Sequence, residues 1–201
     1  MVRRRGDTRR DILSAAEHLF QVKGFNGFSY QHIAQELGVR NAAVHYHFPS
    51  KGDLGLAMIS RFREDFGWWR VQQEARSTTG SQRLEAFFGL DRRYSEQRKV
   101  CPLGVVGVEF AGMPPEMCRE AHALVDDVLS YIEDALALGR EDGTLSFDGE
   151  LPAVALHVLA ATQGGLQLGR LQGPRGFDTV LDGLRSVLRM AGPADGARVA
   201  G

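Results

Sequence analysis

The side chains best suited to chemistry lie in one short stretch, residues 28–48, within the most basic part of the chain. The stretch reads as two short helices joined by a tight turn, with arginine, asparagine and histidine on or beside the second helix. No Ser/His/Asp set, carboxylate pair or phosphate-binding loop has a recognisable spacing in the sequence, so we do not expect an enzyme. The pattern predicts a helix-turn-helix that enters DNA. The alternative is a helical hairpin in an ordinary core, since serine and glycine punctuate many helices.

Local signals place the two helices of this motif. Ser29 is a good N-cap, and Phe28 and Ile33 occupy the two positions of a hydrophobic staple, so the first helix begins near Tyr30. Gly38 follows the apolar face of that helix and can adopt the left-handed conformation that ends a helix. We therefore expect the turn at Gly38 and a second short helix over residues 41–47.

Charge is unevenly distributed along the 201 residues, although the formal net charge is only -1. Residues 1–51 hold eight lysines and arginines against four acids, whereas the remaining 150 residues hold sixteen against twenty-one. A basic head on an acidic body indicates that only the head meets a polyanion.

The two cysteines, Cys101 and Cys118, form no CxxC pair, which argues against a disulfide framework or a structural zinc module. The N-terminal arginine cluster lacks the apolar run of a signal peptide, and the most apolar later segment, residues 151–171, is interrupted by polar side chains. We expect a cytoplasmic protein that has no cofactor and does not enter a membrane.

Helical periodicity continues through the chain and alternating strand patterns are scarce, so we expect an all-α fold of about nine helices. A three-helix helix-turn-helix head over residues 1–52 is followed by a helical body over residues 53–191 and a flexible tail over residues 192–201. Ser50 and Asp53 form a cap that opens a long fourth helix between head and body. A loop over residues 173–176 separates the eighth helix from the ninth, expected over about residues 177–190.

This layout, with a head that ends in the segment HYHFPSKGDL over residues 45–54, resembles the TetR family of transcriptional regulators. The motif match is specific over residues 12–54, and the body matches mainly in layout. The resemblance implies a homodimer whose two heads bind successive major-groove faces of a near-palindromic operator in double-stranded DNA. It also implies a repressor whose body binds a small apolar or amphipathic effector and releases the DNA when occupied. The body would then be an effector-binding and dimerisation domain.

The resemblance assigns roles to single residues, because the third helix is similar to the family's recognition helix. Arginine pairs well with guanine edges, asparagine pairs with adenine, and a small alanine allows close approach. Lys51 would grip phosphate, since a cation in the first turn of a helix opposes the helix dipole unless an anion lies there. His45 departs from the tyrosine that is usual in the family, so no operator sequence can be carried over. The expected DNA-binding residues are Ser29, Arg40, Asn41, Ala42, His45, Tyr46, His47 and Lys51.

Other interpretations of the head remain open. Tyr46 and Phe48 could only pack the head against the long helix. His32, His45 and His47 could suggest a metal site, but a His-Tyr-His segment on a helix points its two imidazoles in different directions, so we expect no metal. Residues 3–5, all arginine, are either a solvated tail or an arm that reaches the minor groove or the DNA backbone.

The last two helices resemble the family's four-helix dimerisation bundle. Paired glycines at positions 164 and 165 cost roughly 1 kcal/mol each against alanine in a helix, and close packing with a partner helix would offset that loss. An intramolecular core is the alternative for the same leucines. The expected dimer residues are Leu156, Leu159, Gly164, Leu168, Leu171, Leu181, Leu184 and Leu188.

The residues of the effector pocket are harder to predict, because aromatic and methionine residues at helical spacing also form ordinary cores. We expect Gln163 and His122 to supply its polar contacts. Cys101 opens a helix whose dipole lowers the pKa of a thiol, so sensing of electrophiles or oxidants is an alternative, as is a DNA-binding regulator without an effector. The candidate pocket residues are Phe62, Phe66, Trp69, Phe87, Cys101, Phe110, Met113, Met117, His122 and Gln163.

Overall fold

A computed structural model describes residues 5–97 and 99–190, and this part of the chain is helical with no strand. Its order of elements confirms the expected all-α fold. The helices are α1 (Arg5–Lys23), α2 (Tyr30–Leu37), α3 (Asn41–His47), α4 (Lys51–Arg76), α5 (Gly80–Glu96), α6 (Pro102–Glu109), a 3-10 turn (Phe110–Gly112), α7 (Pro115–Glu141), α8 (Leu151–Gln172) and α9 (Pro174–Val187). The predicted tail and the side chains of residues 3–5 lie outside the described part.

Helix ends lie where the local signals predicted them in the first half of the chain. Ser29 precedes α2, and its backbone N–H donates to Nδ1 of His32 at 3.1 Å, so a histidine fills the place of the usual capping-box acid. Gly38 closes α2 with φ 63° and ψ 33°, in the left-handed region. At the start of α4 the Ser50 N–H donates to Asp53 Oδ2 at 2.9 Å, and the Asp53 N–H donates back to Ser50 Oγ at 3.1 Å.

The last helix begins earlier than expected. A loop was predicted over residues 173–176, whereas α9 already begins at Pro174 and ends at Val187. Proline fits the first position of a helix because its fixed φ is helical and its missing N–H would be unbonded there anyway. The loop is therefore reduced to Gly173, whose φ is 90°.

The described chain divides into two compact units. Unit 1 contains residues 5–67 and 99–127, and its core includes fully buried Phe20, Ile33, Val44, Leu54, Met58 and Met117. Unit 2 contains residues 68–97 and 128–190, and its fully buried side chains include Leu84, Phe88, Tyr131, Ile132, Phe177 and Leu181.

This division differs from the predicted boundary at residue 52, because α6 and the beginning of α7 lie with the helix-turn-helix in unit 1. The Val100 N–H donates to the Gln21 carbonyl at 3.0 Å, which ties the segment before α6 to α1. Residues 1–52 as the DNA-binding domain therefore stay a prediction, and the packing unit around them is larger. Among the described helices none is both long enough and apolar enough to span a bilayer.

Candidate nucleic-acid interface

Helices α2 and α3 are held together by two contacts of Tyr30 near the C-terminal end of α3. The Tyr30 hydroxyl donates to the Phe48 carbonyl at 2.8 Å, and the Tyr30 ring lies 4.5 Å from the His45 ring. Val44 is fully buried and Phe48 is almost so, with the Arg9 guanidinium 4.9 Å from the centre of the Phe48 ring. One side of α3 is thus fixed to unit 1, as the packing interpretation of Phe48 requires.

The opposite side of α3 is exposed. Arg40 is the N-cap residue, and the side chains that follow it on this face are Asn41, Ala42 and His45. Tyr46 is 67% exposed and its ring lies 5.2 Å from that of His47, which is half-buried. A short rod with one anchored side and one exposed side of guanidinium, amide, methyl and imidazole groups has the shape and the hydrogen-bonding groups that a major groove accepts.

Lys51 has partners inside unit 1. Its Nζ donates to the Phe28 carbonyl at 2.5 Å and lies 4.8 Å and 4.7 Å from the centres of the Phe25 and Phe28 rings. Burial lowers the pKa of Lys51 from its ordinary value, and the nearby carboxylate of Glu109 opposes that change. The cation in the first turn of α4 is therefore balanced within the chain, and its contact with phosphate stays a prediction.

A wide groove runs beside His47 between α1 and α4 and has a volume of about 910 Å³. Cationic side chains outnumber acidic ones along it, but both signs are present. Its walls are formed by Arg9, Arg10, Leu13, His47, Asp53, Leu56, Ala57, Ser60, Arg61 and Glu64.

Of the three histidines weighed as metal ligands, one has a structural role. His32 accepts the Ser29 N–H and so serves the cap of α2. Within residues 5–97 and 99–190 no group of three or more His, Cys, Asp or Glu side chains is placed to hold a metal ion.

The expected dimer residues divide into two sets. Leu159, Leu181 and Leu188 are buried in the core of unit 2, which favours the intramolecular alternative for them, and Leu184 is half-buried. A Cβ at Gly165 would lie 3.0 Å from the Phe177 ring, so this glycine serves the close approach of α8 to α9 within the chain. The residues that remain on the exposed surface of α8 are Leu156, Gly164, Leu168 and Leu171.

The candidate pocket residues are spread over both units. In unit 1, Met113 and Met117 belong to the core, Phe62 packs against it and Phe66 is buried. In unit 2, the rings of Trp69 and Phe87 lie 5.0 Å and 6.4 Å from that of Tyr131, and Gln163 is half-buried on α8.

Two of the candidates do line one cavity, which is open at the surface, since Gly107 and Phe110 in its wall are exposed. The Phe110 and His122 rings are 5.2 Å apart and border a space of about 340 Å³ within unit 1. The rest of its wall is apolar apart from backbone, and the complete lining is Leu103, Val106, Gly107, Phe110, Ala121, His122 and Val125.

The two thiols are in different surroundings. Cys101 is buried at the N-cap of α6, with Pro102 at the first helical position. Cys118 is half-buried, and its Sγ contacts the carbonyls of Phe110 and Met113 at 3.7 Å and 3.8 Å. Burial opposes attack by a dissolved electrophile, so a sensing role for Cys101 stays a prediction that its surroundings do not favour.

Two family models and several known transcriptional regulators match this sequence. Residues 12–58 match the family model described as "Bacterial regulatory proteins, tetR family", and residues 80–182 match "Tetracyclin repressor-like, C-terminal domain". The chain is 25% identical over 188 residues to the HTH-type transcriptional repressor BepR of Brucella suis biovar 1, covering 90% of this chain and 88% of BepR. It is 29% identical over 168 residues to the HTH-type transcriptional regulator LmrA of Bacillus subtilis, covering 81% and 86%.

A solved structure is similar over most of the chain. The TetR-family transcriptional regulator from Agrobacterium tumefaciens superposes with a TM-score of 0.88 at 25% identity, covering 94% of this chain and 100% of that one.

Proposed function

Because the chain belongs to the TetR family of helix-turn-helix transcriptional regulators, we propose that it reads its operator with the exposed face of α3. In this proposal it acts as a repressor in the cytoplasm, and a small molecule bound to the protein releases it from DNA. The observation that carries the proposal is the two-sided character of α3. Val44 and Phe48 anchor one side in the core, while Arg40, Asn41 and His45 remain exposed on the other.

Base choice would come from α3 and affinity from the phosphates beside it. Arginine and asparagine both make paired hydrogen bonds to base edges in the major groove, and each such pair contributes about 1–3 kcal/mol of discrimination. Tyr46, His47 and Ser29 are exposed or half-exposed next to this face, where sugar-phosphate oxygens would lie. Lys51 can join them through the N–H groups that Phe28 does not accept.

A homodimer would present two copies of α3 to one operator. The exposed face of α8 supports this proposal, since Leu156, Ala160, Gly164 and Leu168 recur every four residues and Leu171 is 84% exposed. Small residues between leucines let two helices approach closely. Successive major-groove faces repeat every ~34 Å, so the dimer would select a near-palindrome with half-sites at that spacing.

The effector is proposed to bind the cavity between α6 and α7 that Phe110 and His122 border. A volume of about 340 Å³ with an apolar lining fits a small apolar or amphipathic molecule, and the His122 imidazole offers it one polar partner. The cavity lies in the same packing unit as the helix-turn-helix, so an occupant that bears on α6 acts on the unit that holds α3. A coupling of ~2 kcal/mol would weaken operator binding roughly thirtyfold.

Selection of bound DNA from random sequence with the full chain tests this proposal. We expect a near-palindromic site, and we expect Asn41→Ala to weaken binding to that site by roughly fivefold to a hundredfold. Gln72→Ala, an exposed amide on α4 in unit 2, is the matched control and should bind like the parent. Recovery of no preferred site, or equal affinity of the Asn41→Ala variant, would show that α3 does not read DNA.

The effector part is tested separately by thermal shift with a panel of small apolar and amphipathic compounds. A compound that binds the native state raises the melting temperature, and a true effector must also lower affinity for the selected site. If stabilising compounds leave operator affinity unchanged, the protein regulates without an effector at this cavity.

A further inference from the structure

The loop that joins α1 to α2, residues 24–29, is held by a carboxylate from α6, 83 positions away in sequence. Glu109 Oε2 accepts the Asn26 backbone N–H at 2.8 Å and the Asn26 Nδ2 at 2.7 Å. Both residues belong to unit 1. One carboxylate oxygen therefore fixes both the backbone and the side chain of this loop residue.

The approach of this carboxylate is so close that it restricts the neighbouring residue. Gly24 has φ 79°, and a Cβ built on it would collide with Oε1 of Glu109. Any larger residue at position 24 must both accept a left-handed backbone and displace the carboxylate. The loop is thus shaped around Glu109 at Gly24 and Asn26.

A charge of opposite sign holds the other end of the same loop. The Lys51 ammonium donates to the Phe28 carbonyl, beside the rings of Phe25 and Phe28, and is attracted by the Glu109 carboxylate. The loop over residues 24–29 is therefore held by the Glu109 carboxylate from α6 and by the Lys51 ammonium from α4.

This loop runs directly into the N-cap of α2, so its position sets where α2 begins. Helix α2 in turn holds α3 through the bond from the Tyr30 hydroxyl to the Phe48 carbonyl. A shift of the loop is therefore passed to the exposed face of α3 through backbone and through one buried hydrogen bond.

We propose that Glu109, although it lies outside the helix-turn-helix, is a positioning residue for sequence-specific DNA binding, acting through Asn26 and the α1–α2 loop. The inference rests on the proposed function of α3 as the helix that reads DNA. It makes the C-terminal turn of α6 part of the apparatus that orients α3.

The proposal predicts a change opposite in sign to simple electrostatics. Removal of a negative charge from a DNA-binding unit should tighten binding to any duplex, because DNA is a polyanion. Glu109→Ala, which leaves no acceptor for the two Asn26 donors, should instead weaken binding to the selected operator by about fivefold to thirtyfold, while affinity for random duplex stays equal or rises. Glu116→Ala is the matched control, since it removes an exposed carboxylate of the same unit that is paired with Arg119.

A second pair of variants displaces the carboxylate without removing it. Gly24→Ala should reproduce the loss of operator affinity because the new methyl group collides with Glu109. Gly143→Ala carries a similar backbone strain, with φ 75°, but has nothing within 4 Å of the new Cβ and should bind DNA like the parent. Thermal unfolding of both variants checks that strain costs each of them a similar stability.

A double-mutant cycle closes the test. Asn26→Ala combined with Glu109→Ala should weaken operator binding no more than Glu109→Ala alone, because Glu109→Ala already removes the contact that the Asn26 side chain makes. Equal or tighter operator binding by folded Glu109→Ala, or additive losses in the cycle, would overturn the proposal. Asn41→Ala, measured alongside, separates the two ideas: if it abolishes operator preference while Glu109→Ala does not, α3 reads DNA and only the role of Glu109 is wrong.

Discussion

Asp91 provides the sharpest test of the energetics of unit 2, because its carboxyl group is buried and ionisation of a buried carboxyl group costs free energy. It lies on α5, is 2% exposed and has an oxygen, Oδ2, without a hydrogen-bond partner among the described residues. Burial raises the pKa of Asp91 to about 7, and its hydrogen bond with Thr162 opposes the rise only partly. The carboxyl group is therefore protonated in the native state under conditions where the unfolded chain has it ionised.

The sign of the pH dependence follows from this difference. Because the folded pKa lies above the unfolded value of 3.8, the native state binds the extra proton between pH 3.8 and about 7. Stability from this group is therefore greatest at low pH and is lost as the pH rises toward 7. A shift of about 3 units corresponds to at most about 4 kcal/mol lost above pH 7.

Asp91→Asn removes the titrating group while keeping its shape. We expect the variant to be more stable than the parent by up to about 2 kcal/mol at pH 5, where the unfolded chain is already ionised, and by up to about 4 kcal/mol at pH 8. Urea unfolding at both pH values, with the protein concentration held fixed, measures the difference. Comparison with the parent is essential, because burial also raises the pKa of Glu17 to about 7 and adds its own pH dependence.

Asp148→Asn is the control, since the Asp148 side chain is fully exposed and its removal should leave the pH dependence unchanged. A parent whose stability, relative to the Asp91→Asn variant, stays constant or increases from pH 5 to pH 8 would refute the reasoning.

Three further predictions concern the DNA-binding and assembly surfaces. Tyr30→Phe leaves the buried Phe48 carbonyl without its donor and should lower the free energy of unfolding by about 1–3 kcal/mol, measured by urea titration; an unchanged midpoint would contradict the anchoring of α3. Leu171→Glu should convert a dimer to monomers in sedimentation velocity. Val71→Glu, also at an exposed position, should leave the dimer intact. A dimeric Leu171→Glu variant would exclude this end of α8 from the interface. Gly107→Leu should fill the α6–α7 cavity and lower operator affinity without added effector. Gly107→Ala, which adds only one methyl group, should bind the operator like the parent. Retained affinity of the leucine variant would show that the cavity does not affect DNA binding.

The helix-turn-helix could be predicted from sequence because its signals are local. Ser29, Gly38 and the Ser50–Asp53 cap each act on neighbours within four residues, and each behaves in the structure as its residue type requires. The exposed face of α3 follows from the same placement, since burial of Val44 leaves Asn41 and His45 on the other side. The assignment of all these residues to DNA contact depends on the family resemblance and stays a prediction.

Contacts between distant segments could not be predicted in this way. Nothing near Glu109 in the sequence marks it as a partner of Asn26, since the pair depends on how α6 packs on α1. The leucines of the last two helices show the same limit, because helical spacing alone does not tell which partner covers a face. Leu159, Leu181 and Leu188 are covered by their own unit, and only the tertiary structure separates them from exposed Leu156 and Leu168.

The charge of Lys51 is balanced by residues that are distant from it in sequence. Its place in the first turn of α4 is unfavourable for a cation, and from the sequence we expected a DNA phosphate to be the balancing anion. In the structure the Phe28 carbonyl, two aromatic rings and the Glu109 carboxylate balance it instead. An ammonium has three N–H donors, so the bond to Phe28 leaves donors for a phosphate that approaches the exposed part of the side chain. A DNA phosphate and the Glu109 carboxylate would then compete for the Lys51 ammonium. Operator binding would in this way affect the contacts that hold the α1–α2 loop.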